Sequence, residues 1–240
     1  MKILDDTLAI LAPTLRSRVY LQNMMLNNIM PSRVLMLPAQ ESISEDATEY
    51  NVEFDSNSEM VSFTPNKTLS DTINEYSIPT IESTTSDINS REFIDFLKSF
   101  PQAIVIYSGM PGVILRGSIL DCGKKFLHIH GGYVPEYKGS TTFYYSMLSE
   151  GTLGVSAIWM EKELDSGRVL NRKNFQPQKG YNIDNVFEPM ARASLLIDVL
   201  NDRLTNGEYA VGEKHLSDVS AYYVIHPLLK YFSLKKCGLI

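Results

Sequence analysis

Apolar positions along the chain fall into short uncharged runs separated by stretches with helical spacing. Thr7–Leu11 predicts a first buried strand, followed by Pro13. Arg16–Asn28 predicts a helix, with Leu15, Val19, Tyr20, Met24 and Leu26 giving broad apolar faces and Asn27, Asn28 and Pro31 stopping it. Val34-Leu35-Met36-Leu37 predicts a second buried strand. Thr68–Tyr76 then reads as a helix, Ile78-Pro79-Thr80 as a short strand, and Ser90–Phe100 as a helix with Glu92 and Asp95 near its positive end. Ala103–Tyr107 is the strongest strand signal, β-branched and uncharged. Ser108-Gly109-Met110-Pro111-Gly112 breaks it, and Val113–Leu120 predicts a helix. Phe126–His130 is a further strand, closed by Gly131-Gly132 and Pro135. Thr141–Glu150 reads as helix, and Gly154–Met160 and Arg168–Phe175 as strands. Ile183–Leu204 reads as a long helix with Val186, Met190, Leu195, Val199 and Leu200 toward a core.

Repeated alternation of strand and helix predicts an α/β fold with a doubly wound, mostly parallel sheet. Ligands of such sheets sit beyond the carboxyl ends of the strands, which singles out Tyr107–Gly112 and His130–Gly132. Between Gln40 and Phe63 the character changes. Glu41, Glu45, Asp46, Glu49, Glu53, Asp55 and Glu59 occur with no Lys or Arg among them, which predicts a solvated acidic loop over residues 41–63.

Composition narrows the class. The chain has 240 residues, 44% of them hydrophobic, as in an ordinary soluble domain. No apolar run approaches the roughly 20 residues that cross a bilayer. Asp5 and Asp6 interrupt what would be the apolar core of a secretory signal. Cys122 and Cys237 cannot build a disulfide framework and lack zinc-ligand spacing, so a cytoplasmic setting is expected. A net charge of -6 with no basic stripe argues against a nucleic-acid partner. Lys124-Lys125 and Lys235-Lys236 read as solvated surface.

His128 and His130 lie two apart on a strand and share a face. Acid–base work, a metal site and oxyanion stabilisation all fit such a pair. A metal would need a third ligand, and His215, His226, Asp121 and Asp165 are available without diagnostic spacing. Asp165 stands in Glu163-Leu164-Asp165-Ser166-Gly167, where an aspartate commonly bonds its own backbone in a turn.

Taken together, IVIYSGMPGVIL, FLHIHGGYVPEYKGS and LGVSAIWMEKELDSGRVL make Ala103–Leu170 resemble the folate-dependent formyltransferases. That family includes glycinamide ribonucleotide, methionyl-tRNA and sugar-nucleotide N-formyltransferases. The resemblance implies that His130 and Asp165 are catalytic, with His128 standing where the family has asparagine. Gly131 replaces the usual proline, and Ala12-Pro13-Thr14-Leu15 lacks the glycine-rich first turn of many relatives.

It further implies formyl transfer from 10-formyltetrahydrofolate, as co-substrate, to a small-molecule primary amine, with a nucleotide-linked amino sugar favoured and no metal required. Met110, Pro111, Gly112 and Val113, with Met160, Glu161, Lys162 and Leu164, would contact the folate. Tyr133, Tyr137, Lys138 and Tyr144 would face the amine. Residues 1–207 would form the catalytic domain and 208–240 a short appendage, too short and too acidic for the extra domain that helps hold tRNA. Two rivals are a metal-assisted hydrolase or deformylase built on the His-x-His pair, and a catalytically altered folate-binding module. Oligomeric state is not legible.

Overall fold

A computed structural model describes residues 1–39, 60–215 and 219–240. Residues 41–59 of the expected acidic loop lie outside the described residues. The strands are β1 (Lys2–Leu11), β2 (Ile29–Met36), β3 (Thr80–Glu82), β4 (Ile104–Ser108), β5 (Lys125–His130), β6 (Leu153–Trp159) and β7 (Val169–Phe175). Their order in the sheet is β3-β2-β1-β4-β5-β6-β7. β1 pairs in parallel with both β2 and β4, β2 with β3, and β4 with β5, while β6 and β7 are antiparallel. This is the doubly wound, mostly parallel α/β architecture that the alternation predicts, with its reversal of winding between β1 and β4. The chain divides into two compact units, Met1–His128 and Ile129–Ile240.

In the first unit, β1 runs five residues earlier than its apolar pattern suggests. Asp5 and Asp6 interrupt that pattern, and the pairing to β2 shifts register between Leu4 and Leu8. Helix α1 (Leu15–Leu26) is buried from Ser17 to Met25, polar residues included. Several of those groups are satisfied by the segment after the acidic run. Gln22 donates to the carbonyls of Thr64 (3.2 Å) and Lys67 (3.0 Å), and its Oε1 accepts from the Thr64 amide at 2.7 Å. Asn23 donates to Ser62 O at 3.0 Å. Met60 and Phe63 are buried, so the last residues of the expected solvated loop are anchored to the core while Ser62 between them is exposed.

Helix α2 (Leu69–Tyr76) opens on a reciprocal cap between Thr68 and Asp71, and α3 (Arg91–Lys98) on the Ser90 hydroxyl. Expected strand Ile78–Thr80 is displaced to Thr80–Glu82. Proline has no N–H to give a ladder, and Pro79 contributes only its carbonyl, to Val34 N. The helix expected over Val113–Leu120 is reduced to α4 (Gly117–Leu120). Asn89 holds the residues before α4 outside a helix: its amide donates to Ile114 O (2.9 Å) and its oxygen accepts from Arg116 N (2.8 Å). Lys124 is also not simple surface, because its ammonium donates to Phe100 O and Gln102 O, both at 2.7 Å.

In the second unit, α5 (Thr142–Glu150) and α6 (Glu188–Asn206) follow the sequence pattern, α6 being preceded by a π-helical turn over Ile183–Phe187. Val186, Met190, Leu195, Val199 and Leu200 are all buried. The sequence did not announce α7 (Pro227–Lys236), which packs on α5. Lys236 reaches the end of α5 and donates to Leu148 O and Ser149 O at 2.9 and 2.6 Å, where cations suit the helix dipole. Upstream of α7 the chain forms a strap. Tyr222 N donates to Lys138 O (2.8 Å) and Ser140 N to Tyr222 O (2.9 Å), a parallel bridge on Gly139. Among the described residues no helix is long and apolar enough to cross a membrane.

Gly139 has φ +112°, and a Cβ there would lie 2.3 Å from Tyr222 O. Gly139→Ala should therefore lower unfolding stability by about 2–3 kcal/mol, read from urea denaturation. A change below half of that would mean the strap contributes little.

Candidate active site

His130 ends β5 in the second unit with its ring buried. Its Nε2 lies 2.9 Å from Tyr137 O and 3.3 Å from Thr142 Oγ1. A carbonyl can only accept, and the Thr142 hydroxyl already gives its proton to Gly131 O at 2.5 Å. Both neighbours are thus acceptors, which places the imidazole proton on Nε2. Gly132 makes this possible, because a Cβ there would fall 2.1 Å from Tyr137 O and 2.6 Å from Nε2. The residues after Gly132 are held by Ser156, which donates to Gly132 O (2.7 Å) and accepts from Val134 N (3.0 Å).

The other ring nitrogen, Nδ1, faces Asp165 Oδ1 at 3.5 Å. Asp165 is held from two sides. Its backbone is left-handed (φ +50°), a conformation aspartate tolerates better than most side chains. Its Oδ2 accepts from Gly139 N at 2.9 Å, so the carboxylate bonds a distant loop rather than its own turn. Gly167 lets that turn close, since a Cβ there would sit 1.7 Å from Trp159 O.

Burial pushes the His130 proton affinity below the ordinary imidazole range. Asp165 opposes this, Arg192 reinforces it, and the Tyr137 hydrogen bond and Glu188 oppose it more weakly. The ring is therefore neutral, with its lone pair on Nδ1 turned toward a carboxylate oxygen. Two acceptors face one another across 3.5 Å. Such a gap suits an incoming N–H or O–H donor.

His128, half-buried in the first unit, has its ring centroid 6.3 Å from that of Tyr107. Tyr107 is buried, and among the described residues its hydroxyl has no hydrogen-bond partner. Burial raises its pKa well above the usual phenol range. Its hydroxyl lies 1.9 Å from where a Cβ of Gly109 would stand. The sequence singled out Tyr107–Gly112 as a strand end but gave the Tyr107 hydroxyl no role of its own. In the same unit Met110 is buried, Val113 is half-buried, and Pro111 and Gly112 are exposed at the turn after β4.

In the second unit Met160 is half-buried, and Glu161, Lys162 and Leu164 are exposed on the way to Asp165. Tyr133 lies under the Arg172 guanidinium, 5.1 Å from its centroid. Lys138 is buried, with Nζ 4.0 Å from Glu163. Two tyrosines expected to face an amine are committed elsewhere. Tyr137 donates to Glu150 (2.7 Å) and stacks on Tyr222, reaching His130 only through its carbonyl. Tyr144 is 1% exposed and donates to Asp184 at 2.8 Å, so it serves packing. Thr142 and the Glu188–Arg192 pair beside His130 carried no sequence signal. Among the described residues no group of three His, Cys, Asp or Glu could hold a metal ion.

No family model matches the chain. A methionyl-tRNA formyltransferase of Listeria welshimeri is 27% identical over 116 residues, covering 47% of this chain and 37% of the relative. The chain thus spans little more than a third of the length of that curated relative. Among solved structures, an N-formyltransferase from Helicobacter canadensis, in complex with folinic acid and dTDP-3-aminofucose, superposes with TM-score 0.58. It is 14% identical, over 98% of this chain and 81% of that one. A phosphoribosylglycinamide formyltransferase from Anaplasma phagocytophilum gives TM-score 0.57 at 11% identity, over 91% of this chain and 97% of that one. The fold is that of the formyltransferases, and the resemblance read from the three motifs is borne out in sequence and in architecture.

Because the folded ring resists protonation, the unfolded chain takes up a proton first as pH falls through about 6.5, the unperturbed value. Stability should be full above that pH and decline below it. His130→Gln should flatten the decline in melting temperature between pH 7 and pH 5. Parallel curves for the two proteins would contradict a buried neutral imidazole.

Proposed function

We propose that the chain transfers a formyl group from 10-formyltetrahydrofolate to the primary amine of a small molecule, with a nucleotide-linked amino sugar as the favoured acceptor. The observation that carries this reading is the fixed tautomer of His130, its bare Nδ1 aimed at Asp165. The Helicobacter complex with folinic acid and an amino sugar supports the substrate class.

In this mechanism the acceptor amine attacks the formyl carbon, forming a C–N bond while the carbonyl oxygen becomes an oxyanion. The proton lost by the amine enters the gap between Nδ1 and Asp165 Oδ1. His130 then delivers it to the folate nitrogen as the bond from that nitrogen to the formyl carbon breaks. Proton transfer of this kind contributes about 10²–10⁴ in rate. Asp165 stabilises the transient imidazolium, and Gly139 N–H keeps the carboxylate in place. His128 is the proposed oxyanion donor, one such donor contributing about 10²–10³.

We assign donor contacts to Met110, Pro111, Gly112 and Val113 and, separately, to Met160, Glu161, Lys162 and Leu164. Tyr133 and Lys138 remain the proposed acceptor contacts. Residues 1–207 would make up the catalytic domain and 208–240 its appendage, acting in the cytoplasm. No observation favours the hydrolase reading.

Calorimetric titration with 5-formyltetrahydrofolate should give saturable one-site binding, and none at millimolar ligand would overturn the proposal. With an amino-sugar nucleotide as acceptor, His130→Ala should cut turnover by about 10²–10⁴. His128→Ala should cost about 10²–10³, and His128→Asn should recover most of it by restoring a neutral donor. Equal losses in the two His128 variants would remove that residue from the oxyanion role.

A further inference from the structure

Behind His130 lies an ion pair that the mechanism above does not use. Arg192 on α6 donates from Nη1 to Ile129 O at 2.6 Å, and from Nε to Glu188 Oε1 at 2.5 Å. Its Nη2 also contacts the same carboxylate. Only 11% of the Arg192 side chain and 9% of the Glu188 side chain is exposed. A Cβ on Gly131 would lie 2.6 Å from Arg192 Nη2 and 2.9 Å from Glu188 Oε1. The guanidinium therefore occupies the place where a side chain at position 131 would begin.

Burying two charges is costly even when they are paired, and an apolar pair of similar volume often stabilises a fold as well or better. Stability alone is a poor account of this pair. Its location is more telling, because it grips the carbonyl before His130 and fills the space beside the residue after it.

We infer that Glu188 and Arg192 are positioning residues, a clasp that uses the space left by Gly131 to fix the strand end carrying His130. The two glycines after the histidine then have separate tasks. Gly132 admits the acceptors of Nε2, and Gly131 admits the clasp. The inference rests on the reading of His130 as the proton-transferring group, and a ring titration separates its failure from the failure of that reading.

The charged groups facing His130 are Asp165 from the turn after β6 and Glu188 and Arg192 from α6. Arg192 and Glu188 act on the ring with opposite signs. Opposite shifts therefore report that both charges sit at the ring, and displacement of the clasp itself is read from a change at Gly131 that leaves both charges in the chain.

The test is an NMR titration of the His130 ring in the full chain, in wild type, Arg192→Gln and Glu188→Gln. Arg192→Gln should move the titration to higher pH, and Glu188→Gln to lower pH, each by about half a pH unit or more. Coincident titrations, or shifts of the same sign, would overturn the clasp. Either single variant could fail to fold by leaving a lone buried charge, so Gly131→Ala is measured alongside. Its methyl drives the guanidinium from its place while leaving both charges present. Turnover should fall about tenfold with KM for the folate donor unchanged, and wild-type turnover in Gly131→Ala would equally overturn the inference. Because the titration needs no reaction, opposite shifts in a protein that transfers no formyl group would uphold the placement of the two charges at the ring and sink the proposed activity instead.

Discussion

The hydrogen bond between His130 Nε2 and the Tyr137 carbonyl is the interaction on which the site's geometry depends. A backbone carbonyl cannot donate, so this contact decides which nitrogen holds the proton and which remains free. It also sets how tightly the loop after β5 must turn, because the carbonyl has to come back within 2.9 Å of a ring seven residues earlier. Gly132 permits the approach, Ser156 holds the loop against β6, and the Tyr222 strap fixes its far side. Each of these can be understood as support for one tautomer of one imidazole.

What was legible in the sequence was whatever shows as a period or a run. Buried strands β4 and β6 carry no charges, and α6 is apolar enough to be buried over most of Glu188–Leu200. Capped starts were equally plain, as with Ser90 before α3. What stayed hidden were elements whose physics is long-range. The polar residues of α1 gave no sign of their partners, yet Gln22 and Asn23 bond residues 62–67. The residues after Val113 have helical composition, and one distant asparagine redirects them. Helix α7 has a weak apolar pattern because much of its surface is exposed, including Leu228, Tyr231 and Phe232.

The candidate site shows the same division. His130 and Asp165 were found by type, order and resemblance, and they stand 3.5 Å apart. Tyr137 and Tyr144 drew attention as tyrosines beside a strand end, but their hydroxyls are taken by Glu150 and Asp184. Thr142, Glu188 and Arg192 are ordinary helix residues in sequence. Nothing in local spacing says that a loop and a helix will bring them to one ring, because that depends on the turns between.

Asp165 illustrates how a fold can preserve a position while leaving its chemistry unprotected. A left-handed backbone is open to glycine, and to asparagine and aspartate more readily than to other side chains. Descendants of this chain could therefore drift from aspartate to asparagine or glycine at position 165 with little disturbance to the turn. Folding would act as a filter that passes three residues, and only selection on the carboxylate would choose among them. A lineage that had given up the proposed reaction would then be recognised by which of the three it carries there, not by any loss of the turn itself.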